Sequence, residues 1–397
     1  MKRIPIVGLL LLCALAAPVA PPATAAVESD NMFLVGRNAM GPTQAASVYG
    51  NYLVMGNGAY LEIYEIFGTR PFKQKRGSIL MPDVVKDITI DGQTAYVACN
   101  GAGLFTVDIS VPSSPVILGQ FNQAQYAPTG KALSVYVFGT YAYVADGLGG
   151  LVILDVSNPA RLNPPIGTYS VQNTIVRDVQ VDLSGSKTVA YVAADTAGLW
   201  TIDVSASVRT NPVRLASIRL NGTAQSVFLS PTLAYVALGD WGLTQVNIAD
   251  PAALWIYRTW KPGELDLDIT DVFVSSFKAY CTDANFGLRI LDVTEDITTP
   301  LSNLSTKGRA SRITLTNTQR AFIADGGGGL LMLNVEKPAE PARIDSIQTG
   351  DSAKDIAYYG NTMYVAGGKS GLWILDRSLA SQDNIPPVGV QNIDTLR

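Results

Sequence analysis

The 397-residue chain contains no histidine. That absence removes Ser-His-Asp and Cys-His catalysis, His-ligated metals and His-ligated haem. Any acid–base chemistry is left to carboxylates, Lys, Tyr or Cys. Cysteine is nearly missing as well: beyond Cys13 in the first segment there are only Cys99 and Cys281, too far apart in the chain to be expected as a disulfide. Charged residues make up 16% and sum to −4, so the positive field that nucleic-acid binding requires is lacking. Phosphate-loop, dinucleotide, CxxC and HExxH patterns are absent, and no stretch beyond the N-terminal segment sustains a helical period.

What is present begins with MKRIPIVGLLLLCALAAPVAPPATAA. Lys2 and Arg3 precede an apolar run over residues 4–17 and the small-residue triplet Ala23-Thr24-Ala25. This is the layout of a secretory signal peptide over residues 1–25, and the run is short for a membrane span. The reading predicts an exported protein, periplasmic, cell-surface or extracellular, whose residues 26–397 form one domain with no transmembrane segment. With 47% hydrophobic residues, that part has ample material for a core.

The remainder is a repeat. Leu61, Leu104, Leu151, Leu199, Leu243, Leu288, Leu330 and Leu372 are 43, 47, 48, 44, 45, 42 and 42 residues apart. Seven of the eight copies carry an aromatic eight positions earlier (Tyr96, Tyr143, Tyr191, Tyr235, Tyr280, Phe322, Tyr364) and a glycine immediately before the leucine. Four positions after it stands Glu65, Asp108, Asp155, Asp203, Asn247, Asp292, Asn334 or Asp376. Within each copy, short runs rich in Val, Ile, Tyr and Thr alternate with Gly, Asn, Asp and Pro, the signature of strands and tight turns. Four strands in about 45 residues is the period of a propeller blade. The expected fold is all-β, a β-propeller of about eight four-stranded blades, with seven as the alternative. Stacking the blades in a ring buries faces that a single sheet would expose. Either MFLVG at 32–36 or VGVQNI at 388–393 is expected to complete the last blade.

The runs LVILDVSNP at 151–159, GLFTVDISVP at 103–112 and GLRILDV at 287–293 resemble the LVIVD repeat of secreted and surface proteins. The resemblance covers residues 45–380 and implies a propeller, but no common reaction and no catalytic residues. The first copy departs most from the pattern.

A binding site breaks the symmetry of a ring, so candidates lie where the copies differ. The turns between second and third strands are mostly small residues, but copies five and six introduce Asp240, Trp241, Asn285 and Phe286. The connection between those copies, WKPGELDLDITDV, adds Glu264, Asp266 and Asp268, which share one side if the segment is extended. An aromatic beside carboxylates suits a sugar, and oxygen ligands suit Ca²⁺. The competing reading pairs this acidic run with Lys307, Arg309 and Arg312 of the next connection and makes Trp241 and Phe286 packing residues.

A second set lies at the start of the innermost strands, where Asp87, Asp178, Asp271 and Asp355 occupy alternate blades. These four are the candidate metal ligands, although carboxylates a quarter-turn apart converge poorly on one ion. The sequence therefore predicts a non-enzymatic exported scaffold that binds a protein or glycan at the cell surface, with no obligatory cofactor. A carboxylate- and cation-dependent hydrolase or lactonase at the channel mouth is the alternative.

Overall fold

The structure is a computed structural model that describes residues 33–38, 43–66, 73–263, 266–294, 300–315, 320–347, 352–359, 362–369 and 371–376. The alternating strand pattern produces eight four-stranded antiparallel sheets. Blades one to seven occupy 43–80, 87–120, 130–169, 178–218, 226–260, 269–304 and 312–347. The eighth combines 355–376 with an N-terminal strand, Phe33–Asn38, which pairs antiparallel with Leu372–Asp376. Of the two candidates for closing the ring, the segment beginning near Met32 does so. Residues 388–393 lie outside the described part.

The first strand of each blade packs against the first strand of the next. Thr43–Tyr49 touches both Asp87–Asp91 and Asp355–Tyr359, so the series closes on itself. The propeller expectation is met. The first copy, despite its divergence, forms a complete four-stranded blade.

The core is divided into wedges between neighbouring blades. Because side chains alternate across a strand, Ala95 and Val97 pack toward blade one while Tyr96 and Ala98 pack toward blade three. The repeated aromatics are all buried, from Tyr143 and Tyr364 at 0% exposure to Tyr235 and Tyr280 at 4%.

The repeated glycine has a definite cause. Gly150 has φ +86°, and a Cβ there would lie 2.3 Å from the carbonyl of Tyr169 on the outermost strand. The trailing acid or amide also acts within its own blade. Asp108, Asp155, Asp203, Asn247, Asp292 and Asn334 each accept the backbone N–H two residues on, at 2.8–3.1 Å, which forms an Asx-turn leading out of the third strand.

Candidate functional site

The turn between second and third strands lies on the same face as the connection to the next blade. Asn100 bridges Ala132, Gly147 bridges Val176, Asp195 bridges Ala224, Gly239 bridges Ile269 and Gly326 bridges Ala353. The innermost strands begin on this face, so their first residues ring the channel mouth.

Aspartate at alternate positions of that ring fastens one blade to the next. Asp87 Oδ2 accepts the amide of Val135 at 3.0 Å, and Asp178 Oδ2 accepts that of Val227 at 3.1 Å. Asp271 Oδ2 accepts Ile313 N–H at 3.3 Å, and Asp355 Oδ2 accepts Ala46 N–H at 3.2 Å. Asp87, Asp178 and Asp355 also accept the amide of the following residue in their own strand. The intervening blades return a donor: Ser134 Oγ reaches Asp178 at 3.4 Å and Ser226 Oγ reaches Asp271 at 3.2 Å. In blade seven Arg312 takes the serine's place, with Nε 3.8 Å from Asp355.

Burial raises the pKa of Asp178, Asp271 and Asp355. Asp271, then Asp355, Asp87 and Asp178, hold the Arg312 guanidinium above its ordinary value against the cost of partial burial. Among the described residues no three His, Cys, Asp or Glu side chains are grouped to hold a metal. Asp87, Asp178, Asp271 and Asp355 are each held at their own blade boundary by backbone amides.

The rim of blades five and six carries the other candidates; Glu264 lies outside the described residues. Asp240 and Asn285 are exposed, whereas Trp241 and Phe286 are half-buried. The connection is not extended through Asp266, whose φ of +68° breaks the alternation. Asp266 is exposed, while Asp268 is half-buried and turned toward the next blade. There Asp268 pairs with Arg309 Nη2 at 3.1 Å and accepts Gln225 Nε2 at 3.2 Å. Burial raises its pKa and Arg309 opposes that shift. Arg309 also donates to Asn285 Oδ1 at 3.3 Å, and Asn285 Nδ2 donates to the carbonyl of Asp266. The charge pairing across the groove is thus realised at Asp268.

Trp241 packs with the hydrophobic cluster between blades four and five. Its side chain lies over the Gly222 turn, and Lys261 Nζ stands 3.1 Å from its ring centroid. Phe286 lies under the guanidinium of Arg289 at 4.9 Å.

A third set escaped the sequence reading. Five positions before the repeat leucine, blades three, six and seven carry Asp146, Asp283 and Asp325, buried at 0–2% exposure. Asp283 accepts the amides of Asp268, Asn285 and Phe286 and stands 3.4 Å from buried Arg289. Asp325 accepts Thr306 Oγ1 and the amide of Gly308. Asp146 takes one side-chain bond, from Gln123 Nε2 at 2.7 Å, and among the described residues its Oδ1 has no partner. Burial pushes its pKa up to about 7 against the Gln123 bond. The available signal was positional: most copies place Gly, Cys, Ala or Leu where these acids stand.

The fold and these sites define a β-propeller. The LVIVD-repeat model matches residues 84–123, 129–164, 221–259 and 350–382; the propeller carries LVIVD repeats at these four positions. A comparison with curated proteins gives no match. Among solved structures, Sqt1 of Saccharomyces cerevisiae is similar with TM-score 0.71 and 9% identity, covering 88% of this chain and 99% of its own. The computationally designed Ika8 protein aligns at TM-score 0.70 and 8% identity, covering 87% and 99%. BamB from Moraxella catarrhalis aligns at 0.62 and 12%, also covering 87% and 99%. At these identities the likeness concerns the fold.

Proposed function

We propose that the protein is an exported, non-catalytic propeller that serves as a binding or assembly scaffold for a protein partner at the cell surface. Export rests on the basic, apolar and small-residue order of the first 25 residues. The observation that carries the binding reading is the commitment of the channel-mouth carboxylates to backbone amides of adjoining blades. A hydrolytic site needs carboxylates free to meet a substrate or ion, and these act as blade fasteners. Residue variety on the turn face is concentrated at the rim of blades five and six, which carries exposed Asp240, Asp266 and Asn285 and half-buried Trp241. Lys261 over the indole ring covers the platform on which a sugar would stack, so a protein partner is favoured over a glycan.

The test places a photo-cross-linking amino acid at residue 240 or 266, and at residue 185 in a hairpin turn of the opposite face, in cells that export the protein. Adducts to one defined protein from 240 and 266, with none from 185, are expected. Equal labelling from both faces, or a hydrolytic activity lost in Asp178→Asn, would overturn the reading.

A further inference from the structure

Blade three differs from blades six and seven in what surrounds its buried turn acid. Asp283 and Asp325 receive amides, hydroxyls or a guanidinium, which are partners for an ionised carboxylate. Asp146 is 0% exposed and faces a neutral amide, Gln123, itself 3% exposed. Gln123 Nε2 donates both to Asp146 Oδ2 and to the carbonyl of Ala127, at 2.7 and 2.6 Å. Among the described residues two buried oxygens here have no partner, Asp146 Oδ1 and Gln123 Oε1. An ionised carboxylate here is a buried charge without a counterion, which is strongly disfavoured. A neutral acid has a hydroxyl to donate, and Gln123 Oε1 is the unfilled acceptor on the amide already in contact.

Gln123 is the first residue of a single helical turn, Gln123–Tyr126, in the connection from blade two to blade three. Asn122 caps that turn through the amide of Gln125 at 3.2 Å. Fully buried Phe121 stacks with Tyr126, centroids 6.1 Å apart. The space is closed, since a Cβ on Gly130 or Gly149 would stand 2.0 Å from Asp146 Oδ2.

We propose that Asp146 and Gln123 form a proton-operated latch. With the proton on Asp146, the connection 121–130 is held onto blade three. When the proton leaves to solvent, the buried charge favours lifting of the connection, which uncovers Phe121 and Tyr126 on the turn face. The charged and titratable groups on the surrounding elements are Tyr126, exposed Lys131 beside Gly147, and the Arg177–Asp195 pair at 2.6 Å next to Val176. Among the described residues none of these is paired with Asp146.

The sign follows from linkage. In the open state Asp146 has an ordinary carboxylate pKa, while in the closed state it lies near 7. Opening therefore releases a proton between those values, and the closed state weakens as pH rises to about 7, then levels off. Amide exchange of residues 123–130, corrected for its intrinsic pH dependence, reads this directly in the full-length protein. The opening constant should rise by up to about tenfold per pH unit from pH 5 to 7 and be flat above. Asp146→Asn, which mimics the neutral acid, should remove the slope. A flat wild-type profile, or an unchanged slope in Asp146→Asn, would overturn the latch. A carboxyl-carbon NMR titration of the wild type is independent of any variant. A midpoint near 7 is expected for Asp146, and one in the ordinary carboxylate range refutes the proposal.

Discussion

At the scale of single residues, the repeat is a set of local conformational demands. Gly150 combines a left-handed φ of +86° with a carbonyl 2.3 Å from where a Cβ would stand. Replacing it with alanine strains the backbone and pushes the third strand away from the fourth. We expect Gly150→Ala to destabilise the protein by at least about 2 kcal/mol, measured by urea denaturation, whereas Gly139→Ala, with φ +60° but open space around it, should cost less. Both glycines look alike in the sequence. The repeat position alone marks Gly150 as the stricter one.

At the scale of strands and connections, blades are joined by side chains that the repeat leaves variable. Thr106 Oγ1 donates to the carbonyl of Pro159 at 2.6 Å, Thr201 Oγ1 to that of Pro251 at 2.6 Å, and Ser302 Oγ to that of Pro338 at 2.8 Å. In each case the acceptor lies between the third and fourth strands of the following blade, so the hydroxyl fixes the spacing of the outer parts of the ring. Thr201→Val keeps the shape of this buried side chain and removes the donor. It should cost about 1–2 kcal/mol, and thermal melting that leaves it as stable as wild type would show that the bond contributes nothing. The channel aspartates do the same work near the axis, through backbone amides of the next blade.

For the whole molecule, closure depends on a strand far from its partners in the chain. Phe33–Asn38 supplies the outermost strand of blade eight by pairing with Leu372–Asp376. Without it, blade eight exposes an unpaired edge, which templates association between chains. A chain that begins at residue 39 should melt lower than the full-length protein and form larger species in light-scattering chromatography. An unchanged monomer of equal stability would mean that the first strand is dispensable.

The propeller, its four strands per repeat and the recurring glycine, aromatic and trailing acid were legible in the sequence, because a repeat in the chain writes the same local contacts eight times. The site was only partly legible. Asp240, Trp241, Asn285 and Phe286 do lie on the rim of blades five and six, but alternation misplaced Asp266, whose left-handed backbone is not encoded by hydrophobic pattern. Arg289 at the position after the repeat leucine, where Phe105, Trp200 and Leu331 stand in other copies, and the buried acids Asp146, Asp283 and Asp325 were visible only as departures without direction. Which partners such an acid meets is settled by what folds over it. Gln123 reaches Asp146 and the amide of Asp268 reaches Asp283 from 23 and 15 residues away. Arg289 and the amides of Asn285 and Phe286 reach Asp283 from within six residues, and the channel aspartates take amides from neighbouring blades. The sequence by itself therefore determined the blade, since its contacts are local and repeated. The tertiary structure decided the partners of each odd residue, since those depend on burial and on contacts made between connections and blades.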